Sequence, residues 1–517
     1  MARLHEFQGK QLLAAGNIPI PAGGPATSPG EAREIAKACD GPVVVKGQVW
    51  VTGRAGLGLI RFADTPETAA SIAGEMLGTL HQGFEVNTVL VESHLEIERE
   101  FYAGVIIDDS LQAPVLIFSA VGGTGIEDIA KEHPDALAQT PIDVVHGFYD
   151  YQGRDLVRRT GIHGKLQLQI GAILPRLVKI AQEYDARAAE INPLALTREG
   201  KLLAADCRIT VDDYATYRHP ELGIEVAREF DRPPTPLERI AWEVEKNDYR
   251  GTFYFIQMQE QFNPGEKVIG FHGAGGGGSM MSMDAVLNRG YTLANFVDTS
   301  GNPPASKVYR AARIILAQRL IEGYFASGSG VASQEQFHSA RGLVKAFMEA
   351  PLTVPAVIRL GGNAEEMAME ILNRAQSDIP APMEAYGKDD NPDYCAERLD
   401  RLIQEFKQLS ADYKGFKQPT PIEPYEFDTV TGGRVILDHA LCRECESKVC
   451  IERCVPGILR LDDEIPVLAI PEGEARQGGC TECLACQIEC YFEGNKGGFV
   501  DLPIAGLDVY AQHAREG

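Results

Sequence analysis

The sequence predicts a multidomain α/β protein that closes with a small, loop-rich module. Three observations predict it. Apolar strands alternate with amphipathic helices over most of the chain. Two proline clusters, Pro233, Pro234 and Pro236, then Pro419, Pro421 and Pro424, divide it. Eight of the 11 cysteines fall between Cys442 and Cys490. With 517 residues and 44% hydrophobic content, the chain can fill the cores of about three or four domains.

Before the first proline cluster, segments 42–46, 89–92, 102–108, 114–120 and 201–209 read as strands, being apolar runs bounded by turn residues. Between the clusters, 267–272 and 354–360 read as buried parallel strands. Val308, Ala312, Ile315 and Leu316 place one apolar face on a helix between them. That alternation predicts a doubly wound domain. After Tyr425 cysteine dominates, and the two cysteine groups are the only internal repetition.

A formal charge of −24 argues against nucleic acid and against anionic membrane surfaces as partners. The start, Met1-Ala-Arg-Leu-His-Glu-Phe, has no apolar signal region, and no stretch offers 18 consecutive apolar residues. Only Cys39, Cys207 and Cys395 lie outside the cysteine-rich region, so the expected location is a reducing cytoplasm.

Cys480, Cys483, Cys486 and Cys490 read C-x2-C-x2-C-x3-C. Cys442, Cys445, Cys450 and Cys454 read C-x2-C-x4-C-x3-C, with Pro456 two residues on. A loop with such spacing wraps three thiolates around one iron–sulfur cubane while the fourth cysteine reaches a neighbouring cluster. Two four-thiolate zinc sites are the alternative, although zinc rarely needs a third cysteine two residues further on; disulfides are a weaker one. The region resembles two-cluster ferredoxins. That resemblance implies one [4Fe–4S] cluster on Cys442, Cys445, Cys450 and Cys490, and a second on Cys480, Cys483, Cys486 and Cys454.

The first half carries residues that suit a nucleotide. Lys46 ends the run Val43-Val44-Val45, where an ammonium can face a phosphate. The turn Thr52-Gly53-Arg54-Ala55-Gly56-Leu57-Gly58 can close over phosphates with backbone N–H groups. Glu92 ends a second apolar strand, placed to accept a base or ribose hydrogen bond. Glu190-Ile191-Asn192-Pro193 and Asp206 flank a hairpin, so Asn192 and Asp206 can offer oxygens to one Mg²⁺.

The order of these motifs resembles the β subunit of succinyl-CoA synthetase and its ATP-grasp relatives, the NDP-forming acyl-CoA ligases, over residues 1 to about 375. Similar segments are Leu4-His5-Glu6-Phe7-Gln8-Gly9-Lys10-Gln11-Leu12-Leu13, Val45-Lys46-Gly47-Gln48-Val49, Leu90-Val91-Glu92, Tyr151-Gln152-Gly153-Arg154, Glu190-Ile191-Asn192-Pro193-Leu194 and Arg359-Leu360-Gly361-Gly362-Asn363. The resemblance implies an ATP-grasp domain over 1–235, a flavodoxin-like CoA-ligase domain over 236–410, a linker over 411–430 and a dicluster ferredoxin-like domain over 431–517. It implies that ATP or GTP phosphorylates a histidine, which passes the group to a carboxylate before CoA attacks. Lys46, Gly53, Glu92 and Glu100 would contact the nucleotide, with Lys46 and Glu190 catalytic and Glu190 orienting the phosphohistidine. Asn192 and Asp206 would hold Mg²⁺. The turn Gly328-Ser329-Gly330-Val331 would receive the phosphohistidine, with Gly328 and Gly330 as its binding positions.

Three stretches depart from the family pattern. G-G-R-G-K becomes Thr52-Gly53-Arg54-Ala55-Gly56, so a lysine is replaced by Gly56. D-V-G-G-G-A becomes Asp298-Thr299-Ser300-Gly301-Asn302-Pro303, and F-G-G-I becomes Ser327-Gly328-Ser329-Gly330-Val331. One reading is a subfamily with another acid substrate; the other is an electron-transfer subunit that keeps the ligase fold as a scaffold. The family's phosphorylated histidine lies on the α subunit in a G-H-A-G-A context, and none of the 11 histidines here is followed by Ala-Gly. His272 ends a buried strand and reads as structural. The expected partners are therefore an α-type subunit, which also carries CoA, and a ferredoxin or other redox enzyme. The glycine cluster Gly273–Gly278 is a weak dinucleotide signal, since no ribose-binding acid follows at the right distance.

Overall fold

Proline in the first helical turn, preceded by a hydroxyl cap, starts three helices. Ser28, Thr65 and Thr235 each accept a backbone N–H, before helices Pro29–Ala38, Pro66–Met76 and Pro236–Lys246. At Thr235 the Glu238 carboxylate returns to the cap N–H and completes a capping box. The first proline cluster thus opens a helix.

The computed structural model describes residues 2–516 except 52, 124–130, 133, 225–231, 261, 264, 319, 329, 408, 410–415 and 417–419, and omits the side chains of 513–516. The chain forms two compact units, Met1–Pro233 and Pro234–Gly517.

Among the described residues the first unit holds two larger antiparallel sheets and the two-stranded pair Leu80–His81/Phe84–Glu85. The smaller runs Gly23–Ala26, Val89–Ser93, Val43–Gly47, Ile60–Ala63, and its apolar face packs with helices Pro29–Ala38 and Pro66–Met76 through Val43, Val45, Val91, Ala69 and Ile72. The larger runs Ala2–Arg3, Cys207–Val211, Ala186–Thr197, Ile97–Asp108, Ala113–Ser119, Leu137–Pro141, with Leu202–Ala204 also paired to Ala186–Thr197. Helices Asp150–Arg159 and Gly164–Glu183 cover it.

The single strand expected over 201–209 is two strands, Leu202–Ala204 and Cys207–Val211. The break has a cause in distant residues. The Ala205 carbonyl is taken by the ammonium groups of Lys10 and Lys46, while the Asp206 carbonyl accepts the Asn192 N–H at 3.1 Å.

The second unit is built on a sheet in the order Tyr254–Gln257, Asn295–Asp298, Val268–Ala274, Gly323–Gly328, Ala356–Arg359, Met383–Tyr386, parallel except at the Tyr254–Gln257 edge. Helices lie on both faces. Ala305–Leu316 and Phe337–Glu349 share one core, and Gly276–Leu287 and Pro392–Glu405 share the other. This is the doubly wound arrangement that the alternation predicts.

The cysteine-rich region adds a three-stranded antiparallel sheet, Pro424–Asp428, Arg434–Asp438 and Gly498–Asp501, together with the hairpin Leu459–Asp462/Ile465–Leu468. It does not stand apart. Phe427, Val435, Ile458, Ile488 and Val500 belong to the same buried cluster as Val308, Ala340, Val344 and Phe347. Among the described residues no helix is long and apolar enough to cross a membrane.

Candidate functional site

Three consecutive valines give Val43–Gly47 its strand character, and every residue of it is buried. Lys46 Nζ lies 2.7 Å from Glu6 Oε1, 3.0 Å from Glu92 Oε2 and 2.8 Å from the Ala205 carbonyl. Lys10 repeats that set at 2.9 Å to Glu6, 2.5 Å to Glu92 and 2.8 Å to Ala205. Arg54, in the glycine-bearing turn, reaches Glu6 Oε2 at 2.8 Å and Asp206 Oδ2 at 3.1 Å. Three cations and three carboxylates therefore neutralise one another in a largely buried network.

The charges set the proton affinities. Burial alone would raise the Glu6 carboxyl, but Lys46, Lys10 and Arg54 together hold it far below the usual carboxylate range. Burial likewise opposes the charge on Lys46, yet Glu6, Glu92 and Asp206 keep its affinity above that of an ordinary lysine. Asp206 is pushed up to about 6 by burial and by the Glu6 charge, against the pull of Arg54. Its side chain keeps 34% of its surface exposed and is the open end of the network.

Glu6→Gln is expected to cost about 3–5 kcal/mol, because it removes a buried carboxylate that faces three cations. A carboxyl depressed in the folded state stabilises the fold above its unfolded value of about 4.5 and loses that contribution as pH falls. Urea unfolding of both proteins at neutral and acid pH checks this: the wild type should lose its advantage on acidification. An equal gap at both pH values would show that Glu6 stabilises by packing alone.

Beside this network the hairpin brings Asn192 and Asp206 together through the Asn192 N–H. Asn192 Oδ1 accepts the Gly123 N–H at 2.9 Å. A Cβ on Gly123 would stand 2.2 Å from Glu100 Oε2, so Glu100 borders the same spot. Glu190 accepts from the Tyr102 hydroxyl at 3.2 Å. Glu92 is placed differently from the expectation of a base- or ribose-binding end. Only 1% of it is exposed, and its oxygens lie on Lys10 and Lys46. Gly53 has φ 69°, which glycine adopts without strain; Thr52 lies outside the described residues. The sequence reading gave no role to Glu6, Lys10 or Arg54. The spacing of Glu6 and Lys10 on one helix face was the available signal.

In the second unit, the turn after Gly323–Gly328 is held by the Arg359-Leu360-Gly361-Gly362-Asn363 motif. Arg359 Nη1 donates to the Gly328 carbonyl at 2.8 Å. A Cβ at Gly361 would meet Gly330 Cα at 2.6 Å, so only glycine permits this approach. Ser329 lies outside the described residues. His272 is locked in the core. Its Nδ1 lies 2.6 Å from the Tyr324 hydroxyl and its Nε2 3.3 Å from Thr299 Oγ1, and burial lowers its affinity for a proton to about 3.

The cysteines line two separate cavities. Cys442, Cys445, Cys450 and Cys490 surround one, with Lys448 and Pro466. Cys454, Cys480, Cys483 and Cys486 surround the other, with Phe427 and Ile458. Each cup mixes the two sequence groups in the way the ferredoxin resemblance implies. No cysteine is in a disulfide. Among the described residues no group of three or more His, Cys, Asp or Glu side chains is close enough to hold a metal ion as it stands. Burial, then the neighbouring thiols, push Cys442 and Cys450 up to about 12, and burial does the same to Cys480. Cys445 goes the other way: against the effect of burial, hydrogen bonds from Ser447 and from backbone N–H groups lower it.

Comparison with known proteins agrees with the first two-thirds of this picture. Residues 3–196 match the model of the ATP-grasp domain, and 260–394 match the model described as ATP citrate lyase citrate-binding. The GDP-forming succinate–CoA ligase β subunit of Thermus thermophilus is 36% identical over 71% of this chain and 93% of its own length. An ADP-forming β subunit of Archaeoglobus fulgidus is 38% identical over 73% of this chain and 94% of its own. A solved ATP citrate lyase from Methanothrix soehngenii, with citrate and coenzyme A, superposes with a TM-score of 0.63 at 18% identity, over 78% of this chain and 100% of that one.

Proposed function

The chain belongs to the β-subunit family of succinate–CoA ligases, NDP-forming acid–thiol ligases built on an ATP-grasp domain, and from that premise we propose that it is the nucleotide-binding subunit of a heteromeric carboxylate–CoA ligase with an appended iron–sulfur module. The observation that supports the ligase reading is the strand break at Ala205–Asp206, where Lys46 donates to the Ala205 carbonyl and the Asn192 N–H to the Asp206 carbonyl.

In this reading Lys46 and the Gly53 turn hold the phosphates of ATP or GTP, and Glu100 borders the nucleotide. Glu92 acts by fixing Lys46 and Lys10. Asn192 and Asp206 hold Mg²⁺, which supplies charge neutralisation across the phosphates when bound. Glu190, steadied by Tyr102, orients the phosphohistidine of an α-type partner. In the second domain, Gly328 and Gly330 are the proposed backbone binding positions for a phosphohistidine. CoA binds on the partner. The citrate-binding match and the succinate ligase relatives support a di- or tricarboxylic acid substrate, so succinate and citrate lead the screen. Exchange of labelled phosphate from ATP in the partnered complex tests ligation. A complex that exchanges none would favour a scaffold for electron transfer instead.

The iron–sulfur reading rests on the four-thiol lining of each cup. Cys442, Cys445, Cys450 and Cys490 would hold one [4Fe–4S] cluster, and Cys454, Cys480, Cys483 and Cys486 the other; bound clusters supply one-electron transfer, with a ferredoxin or redox enzyme as partner. Protein prepared without oxygen is expected to contain roughly eight irons and eight sulfides per chain. Metal analysis showing about two zinc ions and no iron would overturn the reading.

A further inference from the structure

Three residues adjoining the cysteines of the second group are bound by cations from the parallel-sheet domain. Glu489 precedes Cys490 and meets Arg341 of helix Phe337–Glu349, with Nε at 2.8 Å and Nη2 at 2.7 Å from one carboxylate oxygen. The two side chains are 1% and 3% exposed. Gln487 follows Cys486 and accepts from Lys345, one turn along that helix, at 2.9 Å; Lys345 also pairs with Glu349. Glu482 lies between Cys480 and Cys483. It accepts from Thr431 and Thr429, and Arg310 of helix Ala305–Leu316 donates to Thr431 at 2.6 Å.

One of those helices follows the turn that the ligase reading uses, and the other follows a stretch that departs from the family pattern. Ala305–Leu316 begins after Asp298–Pro303, and Phe337–Glu349 follows the Gly328–Val331 turn. Gln334 ties the approaches together by donating to the Pro303 carbonyl at 2.6 Å. The succinate–CoA ligase relatives cover up to 74% of this chain, whereas the seam joins the ligase helices to residues 482–489.

We propose that loading of the two cysteine cups governs the order of helices Ala305–Leu316 and Phe337–Glu349, so that the C-terminal module acts as an assembly check on the ligase domain. The proposal rests on the iron–sulfur reading above. The physical link is short. Glu482, Gln487 and Glu489 sit in the segment whose path is fixed by Cys480, Cys483, Cys486 and Cys490. Without the cross-link that segment loosens: Arg341 loses the carboxylate of Glu489, Lys345 is left with Glu349 alone, and Arg310 holds a Thr431 that has lost Glu482. The helices can then relax only by opening to water.

Hydrogen exchange on the full chain, loaded and after anaerobic chelation, tests this, with iron measured on each sample. Removal of iron is expected to raise exchange in both helices by at least about tenfold and to leave the 1–233 unit unchanged. Glu489→Gln and the milder Gln487→Ala should raise exchange in Phe337–Glu349 while iron is retained, and binding of an ATP analogue by the first unit verifies that each variant folds. Unchanged exchange in both helices after verified iron loss would overturn the proposal while leaving the iron–sulfur reading intact. A chain that never takes up iron would overturn both, and the iron assay distinguishes that case.

Discussion

Incubated with γ-labelled ATP, the isolated chain is expected to acquire no acid-labile label, whereas a complex with an α-type subunit acquires it. Phosphoryl transfer needs an acceptor held in line with the γ-phosphate. The chain has 11 histidines, none in the family's phosphohistidine context. His272, the nearest by sequence, has both ring nitrogens hydrogen-bonded to Tyr324 and Thr299 and is 3% exposed. Its proton affinity is lowered by burial rather than tuned by a carboxylate partner. The effect is all or none, and the reading is autoradiography after acid and base treatment of the gel. Label on the chain alone would show that a histidine of this subunit serves as carrier, and the need for a partner would fall.

What the sequence made legible is what short-range chemistry determines. Val43–Gly47 announces itself by consecutive β-branched residues, and the doubly wound sheet by strand–helix alternation. The cysteine spacing marks out the C-terminal module, and Cys442, Cys445, Cys450 and Cys490 line one cavity while Cys454, Cys480, Cys483 and Cys486 line another. The break within 201–209 was not legible. Its residues read as one apolar strand, and the break appears only when Lys10 from a helix and Lys46 from the smaller sheet reach Ala205. Glu92 was misjudged for the same reason: a carboxylate at a strand end looks solvent-facing until two lysines from separate elements close over it. The Arg341–Glu489 seam joins residues 148 apart in sequence. No periodicity signals such a pair.

Replacing Asp206 or Asn192 by Ala is expected to weaken Mg-nucleotide binding by more than about 100-fold, since loss of an outer-shell partner alone costs about 10–100-fold and these are the proposed inner oxygens. The two variants test different things. Asp206 pairs with Arg54 at 3.1 Å, so its removal also frees a guanidinium, although Glu6 retains Arg54 at 2.8 Å. Asn192 carries no charge of its own, and its side-chain oxygen accepts the Gly123 N–H at 2.9 Å. A loss shared by both therefore reports on the metal rather than on the charge network. Asp206→Ala alone could weaken binding by leaving Arg54 to compete for the phosphates in a changed position, and Asn192→Ala controls for that. Calorimetry with ATP, with and without Mg²⁺, is the measurement. The variants should differ from wild type when Mg²⁺ is present and converge with it when Mg²⁺ is withheld. Equal affinity for Mg-ATP in all three proteins would remove Asn192 and Asp206 from the metal site and leave the Lys46 network as a structural ion cluster.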